Sequence, residues 1–206
     1  MAISLNNKIE QPLQGSVGLH PKKFMMLIGM VSMTMMFVAL TSALLVKKGD
    51  TVKWESFSIP SIFLYSTIAI ILSSATIQWS LNFYKKGQDQ YKFLLFATFL
   101  LGVIFTALQY YGWIQIKELG FPLSGNVSGS FVYIITGFHL AHLIAGMSAL
   151  FITLIMSIIK RNPIEELKRI ADINKKVNYE ILVMFWHFLG VLWIYLYSFL
   201  YIVYNT

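Results

Sequence analysis

The chain has 206 residues, 57% of them hydrophobic and 12% charged, with a mean hydropathy of +0.66 and a formal net charge of +7. An ordinary soluble domain carries about 25% charged residues, so this composition excludes a soluble single-core protein. It also excludes a disordered chain, which needs low hydrophobicity and high net charge. Cysteine is absent, which removes disulfide frameworks, thiolate metal sites, covalent c-type haem attachment and a cysteine nucleophile.

What remains is an integral membrane protein. A spanning helix needs about 20 mostly apolar residues. Residues 1–23 form a polar tail, and 24–46 is the first charge-free run, closed by Lys47 and Lys48. That run is longer than a signal-peptide core of about 7–15 residues and follows a polar tail, so no cleavable signal peptide is expected. Its methionines (Met25, Met26, Met30, Met33, Met35 and Met36) read either as a Cu(I)-attracting thioether set or as adaptable apolar packing.

The second span is placed at 59–84, closed by Lys85 and Lys86, and the third at 93–116, closed by Lys117 and Glu118. Gly120, Pro122, Ser124, Gly125, Asn126, Ser128, Gly129 and Ser130 then read as loop. The fourth span follows at 131–159. Its Gly137, Ala141, Ala145 and Ala149 form a small-residue stripe that would let another helix approach closely.

A separate amphipathic helix is expected over 163–176. Asn162 can cap it, Pro163 occupies its first position, and Glu165 stands three residues after the cap. The fifth span is 180–204. Closed β-barrels show short alternating segments, which these unbroken runs do not resemble. The expected fold is an all-α bundle of five transmembrane helices forming one domain.

Orientation follows from the loops. Lys8, Lys22, Lys23, Lys85, Lys86, Lys92, Lys160, Arg161, Lys168, Arg169, Lys175 and Lys176 fall on one side, and Lys47, Lys48, Lys53 and Lys117 on the other. The positive-inside rule puts the N-terminus inside and the C-terminus outside.

Few ionisable residues lie within the spans, and such residues are functional candidates by default. His139 and His142 are three apart and share a helix face. With His187 they could ligate a metal or b-type haem, or simply hydrogen-bond to neighbouring helices and lipid headgroups. Two histidines at that spacing on one helix do not suit the opposite axial positions of a single haem. Glu180 is either a proton-relay member or a carboxylate stabilised at a helix N-terminus. No carboxylate pair, Ser/His/Asp set or phosphate-binding loop appears. The residues alone define a membrane bundle without an activity.

Two stretches carry a resemblance. Thr136-Gly137-Phe138-His139-Leu140-Ala141-His142 resembles the T-G-x-H-x-x-H motif of subunit III of the haem–copper oxidases. Trp186-His187-Phe188-Leu189-Gly190-Val191-Leu192-Trp193 is similar to that family's W-H-F-x-D-x-x-W, with Glu180 matching a family glutamate. Phe105-Thr106-Ala107-Leu108-Gln109 and Gln78-Trp79 add weaker matches. The likeness extends over residues 24–203 and fits the five-helix bacterial form. Met33, Gly112 and Gly190 stand where the family has carboxylates, so the resemblance carries over no proton role at those positions.

The resemblance implies a non-redox subunit of a proton-pumping terminal respiratory oxidase that reduces oxygen to water in a bacterial inner membrane. It implies no catalytic centre, cofactor or metal in this chain. Haems and copper would lie in partner subunits, with subunit I as the main contact and subunit II and a small subunit IV as others. Bound phospholipid is expected and nucleic acid is not. His139, His142, Glu180, Trp186 and His187 are implied as structural or lipid-contacting positions. The rivals are an accessory protein of a nitric oxide reductase, and a free-standing His-ligated b-type cytochrome or metal transporter.

Overall fold

Proline favours the first position of a helix and positive-φ glycine favours its end, and the chain is punctuated accordingly. The structure, a computed structural model, describes residues 20–50, 54, 57–124, 126–159 and 172–205. It contains five long helices: α1 (Pro21–Asp50), α2 (Ile62–Lys85), α3 (Gln90–Glu118), α4 (Val127–Ile158) and α5 (Ile173–Asn205). All five are long and apolar enough to cross a membrane. Gly87 (φ 67°) and Gly120 (φ 90°) turn the chain just after α2 and α3.

The contacts fix the directions. Ser80 meets Tyr91 and Ser73 meets Thr98, so α2 and α3 are antiparallel. Ser80 also meets Tyr179 and Ser73 meets Trp186, so α5 is antiparallel to α2. Phe99 packs on Phe151, and Tyr204 reaches back to Ser128, which sets α4 against both α3 and α5. Helices α2 to α5 therefore form a four-membered ring in which α5 closes on α2. Helix α1 lies outside the ring, against α4 and α5, and runs parallel to α5.

Helix ends differ from the sequence expectation by up to seven residues, and two of the starts have a visible cause. α4 begins at Val127, inside the expected loop, because the Asn126 side chain accepts the Ser128 N–H at 2.9 Å and caps the helix. Gly129 is needed there, since a Cβ would stand 3.1 Å from the Phe121 Cβ. α5 begins at Ile173, seven residues before the expected Glu180. Asp172 starts it by accepting the Asn174 N–H at 2.9 Å, and Val177 and Tyr179 are already buried. Ile173 to Lys176 of the expected amphipathic helix thus belong to α5. Residues 160–171 of that region lie outside the described residues.

The small-residue stripe is also placed differently. Ala141, Ala145 and Ala149 are exposed. The close approaches are made by Gly102 and Gly146 instead, where an added Cβ would lie 3.1 Å and 3.5 Å from the Trp186 ring. Two glycines make room for that indole, and Trp186 is fully buried between them.

Candidate functional site

Lipid tails are as apolar as leucine, so helices in a bilayer are held by packing and by hydrogen bonds between them. Those bonds form a ladder here. Ser66, Ser73 and Ser80 recur every seven residues on α2 and are all fully buried. Tyr179, Trp186 and Trp193 recur at the same interval on α5. Seven residues are close to two helical turns, so each set keeps to one face.

The rungs are regular. The Tyr179 hydroxyl lies 2.7 Å from the Ser80 hydroxyl. The Trp186 indole N–H donates to Ser73 Oγ at 2.9 Å, and that of Trp193 to Thr67 Oγ1 at 3.0 Å. The same serines reach α3. Ser80 donates to the Tyr91 carbonyl at 2.8 Å and Ser73 to that of Thr98 at 3.3 Å. Gln109 donates to Ser66 Oγ at 2.9 Å. Three helices are joined at three levels.

His139 sits beside this ladder, fully buried. Its neighbours are the rings of Trp193 (5.2 Å between centroids), Phe105 (6.0 Å) and Phe37 (6.4 Å). Neither ring nitrogen has a hydrogen-bond partner among the described residues. His142, one turn on, also faces Phe37, and its Nδ1 is 2.7 Å from the Phe138 carbonyl.

Glu180 is met by two cations. Its Oε2 is 2.6 Å from Lys23 Nζ on α1, and its Oε1 is 3.0 Å from Lys85 Nζ on α2. Lys22 adds a 3.2 Å bond to Asn178. This corrects the helix-terminus reading of Glu180. Because α5 starts at Ile173, Glu180 is in its second turn, and its charge is met by lysines rather than by the first-turn N–H groups. His187 is separate from all of these, with Nε2 3.1 Å from the Gln78 side-chain oxygen.

The expected site residues are therefore spread out. His139 and His142 share Phe37, Trp186 belongs to the ladder, Glu180 to the ion cluster, and His187 pairs with Gln78. Among the described residues no group of three or more His, Asp or Glu is placed to hold a metal ion. The sequence reading missed Ser66, Thr67, Ser73, Ser80 and Thr98. The seven-residue recurrence of serine in α2 is the signal that points to them.

An open apolar groove of about 650 Å³ runs between α3 and α4, lined by Phe99, Val103, Ala107, Leu140, Ile144 and Phe151.

This is a polytopic helical membrane protein whose motif residues join helices to one another. The model of the family described as cytochrome c oxidase subunit III matches residues 17–204, and the chain belongs to that family. The probable cytochrome c oxidase subunit 3 of Rickettsia conorii is 31% identical over 150 residues, covering 72% of this chain and 48% of that protein. Cytochrome c oxidase subunit 3 of Drosophila yakuba is 30% identical over 151 residues, 73% of this chain and 52% of that protein. The corresponding protein of Spodoptera frugiperda is 32% identical over 149 residues, 72% of this chain and 91% of that protein. The chain thus spans about half the length of the first two relatives.

Proposed function

We propose that the chain is the non-redox subunit III of a proton-pumping terminal oxidase in a bacterial inner membrane, packing against the catalytic subunit I. The observation that carries this is the family match over residues 17–204. In support, Trp186 lies in the interhelical ladder and His139 in the ring-lined core. His139, His142, Glu180, Trp186 and His187 have structural or lipid-contacting roles. The five helices form one domain. The haems and copper belong to the partner subunits, which include subunit II. Phospholipid binds the helices, and the α3–α4 groove takes acyl chain.

The end carrying Lys22, Lys23, Lys85, Lys86, Lys175 and Lys176 faces the cytoplasm, as the positive-inside rule requires. The N-terminus is then inside and the C-terminus outside. Single cysteines at Lys86 or Lys117, labelled from one side of the membrane, test this.

The test of function is affinity purification of the tagged chain from its native membranes in mild detergent, with a reduced-minus-oxidised spectrum and identification of partners. Haem–copper subunits and oxygen consumption are expected. A chain that purifies alone and colourless overturns the reading.

A further inference from the structure

The polar groups of the ladder run from Ser80 to Thr67, about 20 Å along α2, in a hydrocarbon layer about 30 Å thick. A polar column at that depth either carries water and protons or is kept away from water. Here the column is interrupted. Trp186 and Trp193 join it through indole N–H groups, which donate and cannot accept, so a proton relay stops at each. Between the Ser73 and Ser66 levels, Ile70 on α2, Phe105 on α3 and Leu189 on α5 are fully buried.

Both ends of the column are closed by aromatic rings. At the lysine end Tyr84, Tyr91 and Tyr179 come from α2, α3 and α5, and all three are buried. Tyr84 stacks on Tyr179 with centroids 4.6 Å apart and planes at 10°, and Tyr91 meets Tyr84 edge-on at 5.2 Å. Ser80, one turn from Tyr84, is fully buried beneath these rings and bonded to the Tyr179 hydroxyl. At the far end Phe57 packs on Phe121 at 4.4 Å and on Tyr204 at 4.8 Å, with Trp54 over Tyr204 at 5.7 Å. These rings come from the segments before α2 and before α4 and from the end of α5. The Tyr204 hydroxyl donates to the Ser128 carbonyl and the Tyr133 hydroxyl to that of Phe121, which ties the rings to α4. The void inside them, among Phe63, Val132, Thr136 and Trp193, measures about 10 Å³, no more than a single water needs.

We propose that these two aromatic plates make the ring of α2 to α5 watertight, so that the ladder fastens the helices without opening a path for water or protons. The chain is then an insulator across the membrane as well as a packing partner. The inference goes beyond the oxidase-subunit reading and does not rest on it.

The chain contains no cysteine, so single cysteines can report on water. Ser66→Cys and Ser80→Cys, one inside each plate, are made in the tagged chain, with Lys86→Cys as the exposed reference. Native membranes are treated with methyl methanethiosulfonate, which is small, crosses bilayers and reacts with the thiolate, a form that forms in water. The two ladder cysteines should react about a hundredfold more slowly than the reference. Phe57→Ala should speed the reaction at Ser66→Cys about tenfold and leave Ser80→Cys unchanged, and Tyr84→Ala should do the reverse. Phe57→Leu should keep much of the protection.

Fast reaction at either ladder cysteine in the otherwise unaltered chain overturns the proposal, and that arm needs no plate variant to fold. An equal rise at both cysteines from one plate substitution overturns it too, because it reports general loosening. So does the absence of a rise from either substitution, because the barrier then lies elsewhere. None of these outcomes depends on which subunits co-purify, so the oxidase reading stands or falls separately.

Discussion

Trp186 donates its indole N–H to Ser73 across 2.9 Å, and the Ser73 hydroxyl in turn donates a hydrogen bond to the Thr98 carbonyl at 3.3 Å. One serine thereby links α5 through α2 to α3. The arrangement recurs seven residues away in both helices, with Tyr179 on Ser80 and Ser80 on Tyr91. Trp186→Phe should keep the packing and lose the bond, and Ser73→Ala should lose both of its links. A double-mutant cycle on the two, followed by thermal unfolding in detergent, should give a coupling of about 0.6–1.7 kcal/mol. A coupling near zero would mean that the indole is held by packing alone.

His139 responds differently, because its ring nitrogens have no partner among the described residues to lose. His139→Leu should be close to neutral, since replacing a buried unpaired polar group by an apolar one removes a desolvation cost. His139→Ala should cost about 2–5 kcal/mol through the cavity left among Phe37, Phe105 and Trp193. On the proposed oxidase reading, His139→Ala should weaken retention of this chain in the purified complex and leave the haem spectrum intact. Loss of a haem band with the chain retained would contradict a structural role.

Two of the glycines that the resemblance sets against carboxylates, Gly112 and Gly190, differ in the room around them. At Gly112 a Cβ would stand 2.6 Å from the ring tip of the buried Phe63. The ring occupies the room that a longer side chain would need. Gly112→Ala should therefore cost about 1–3 kcal/mol by overpacking. At Gly190 the nearest atom is the Ser74 hydroxyl at 3.0 Å, which can rotate away, so Gly190→Ala should cost less. Paired melting curves of the two variants check the order.

Glu180 balances two lysines from different helices. Glu180→Gln leaves Lys23 and Lys85 facing each other without an anion. Hydrogen exchange in the first turns of α1 should then rise roughly three- to tenfold. Lys23→Met should act more strongly than Lys85→Met, because Lys23 makes the shorter contact and is less exposed. Equal exchange in all three variants would show that α1 is held by its apolar contacts instead.

Helix number and type were legible because runs free of charge for 20 residues have one physical meaning in a chain this apolar. Helix ends were less so. Asn126 looks like one loop residue among several until its side chain is seen capping α4, and Asn174, Lys175, Lys176 and Asn178 keep the start of α5 from reading as part of an apolar span. His139 and Trp186 stood out by residue type. Their settings did not, because burial among Phe37, Phe105 and Trp193 depends on four helices meeting. The exposed alanines of α4 show the same limit: spacing identifies a smooth face but not whether this chain or something else covers it.

Three polar fastenings of α1 lead to one place. Lys23 reaches Glu180, Thr41 meets Tyr195 at 3.0 Å, and Lys48 binds the Val203 carbonyl near the end of α5. Their partners lie about 155 residues downstream. Helix α1 therefore gains these polar anchors only after α5 has been made, with its packing on α4 as the earlier hold. Helix α5 acts as the closing bolt of the bundle, seating α1 and completing the ring in one step. A nascent chain stalled before α5 would leave Lys23, Thr41 and Lys48 without these partners.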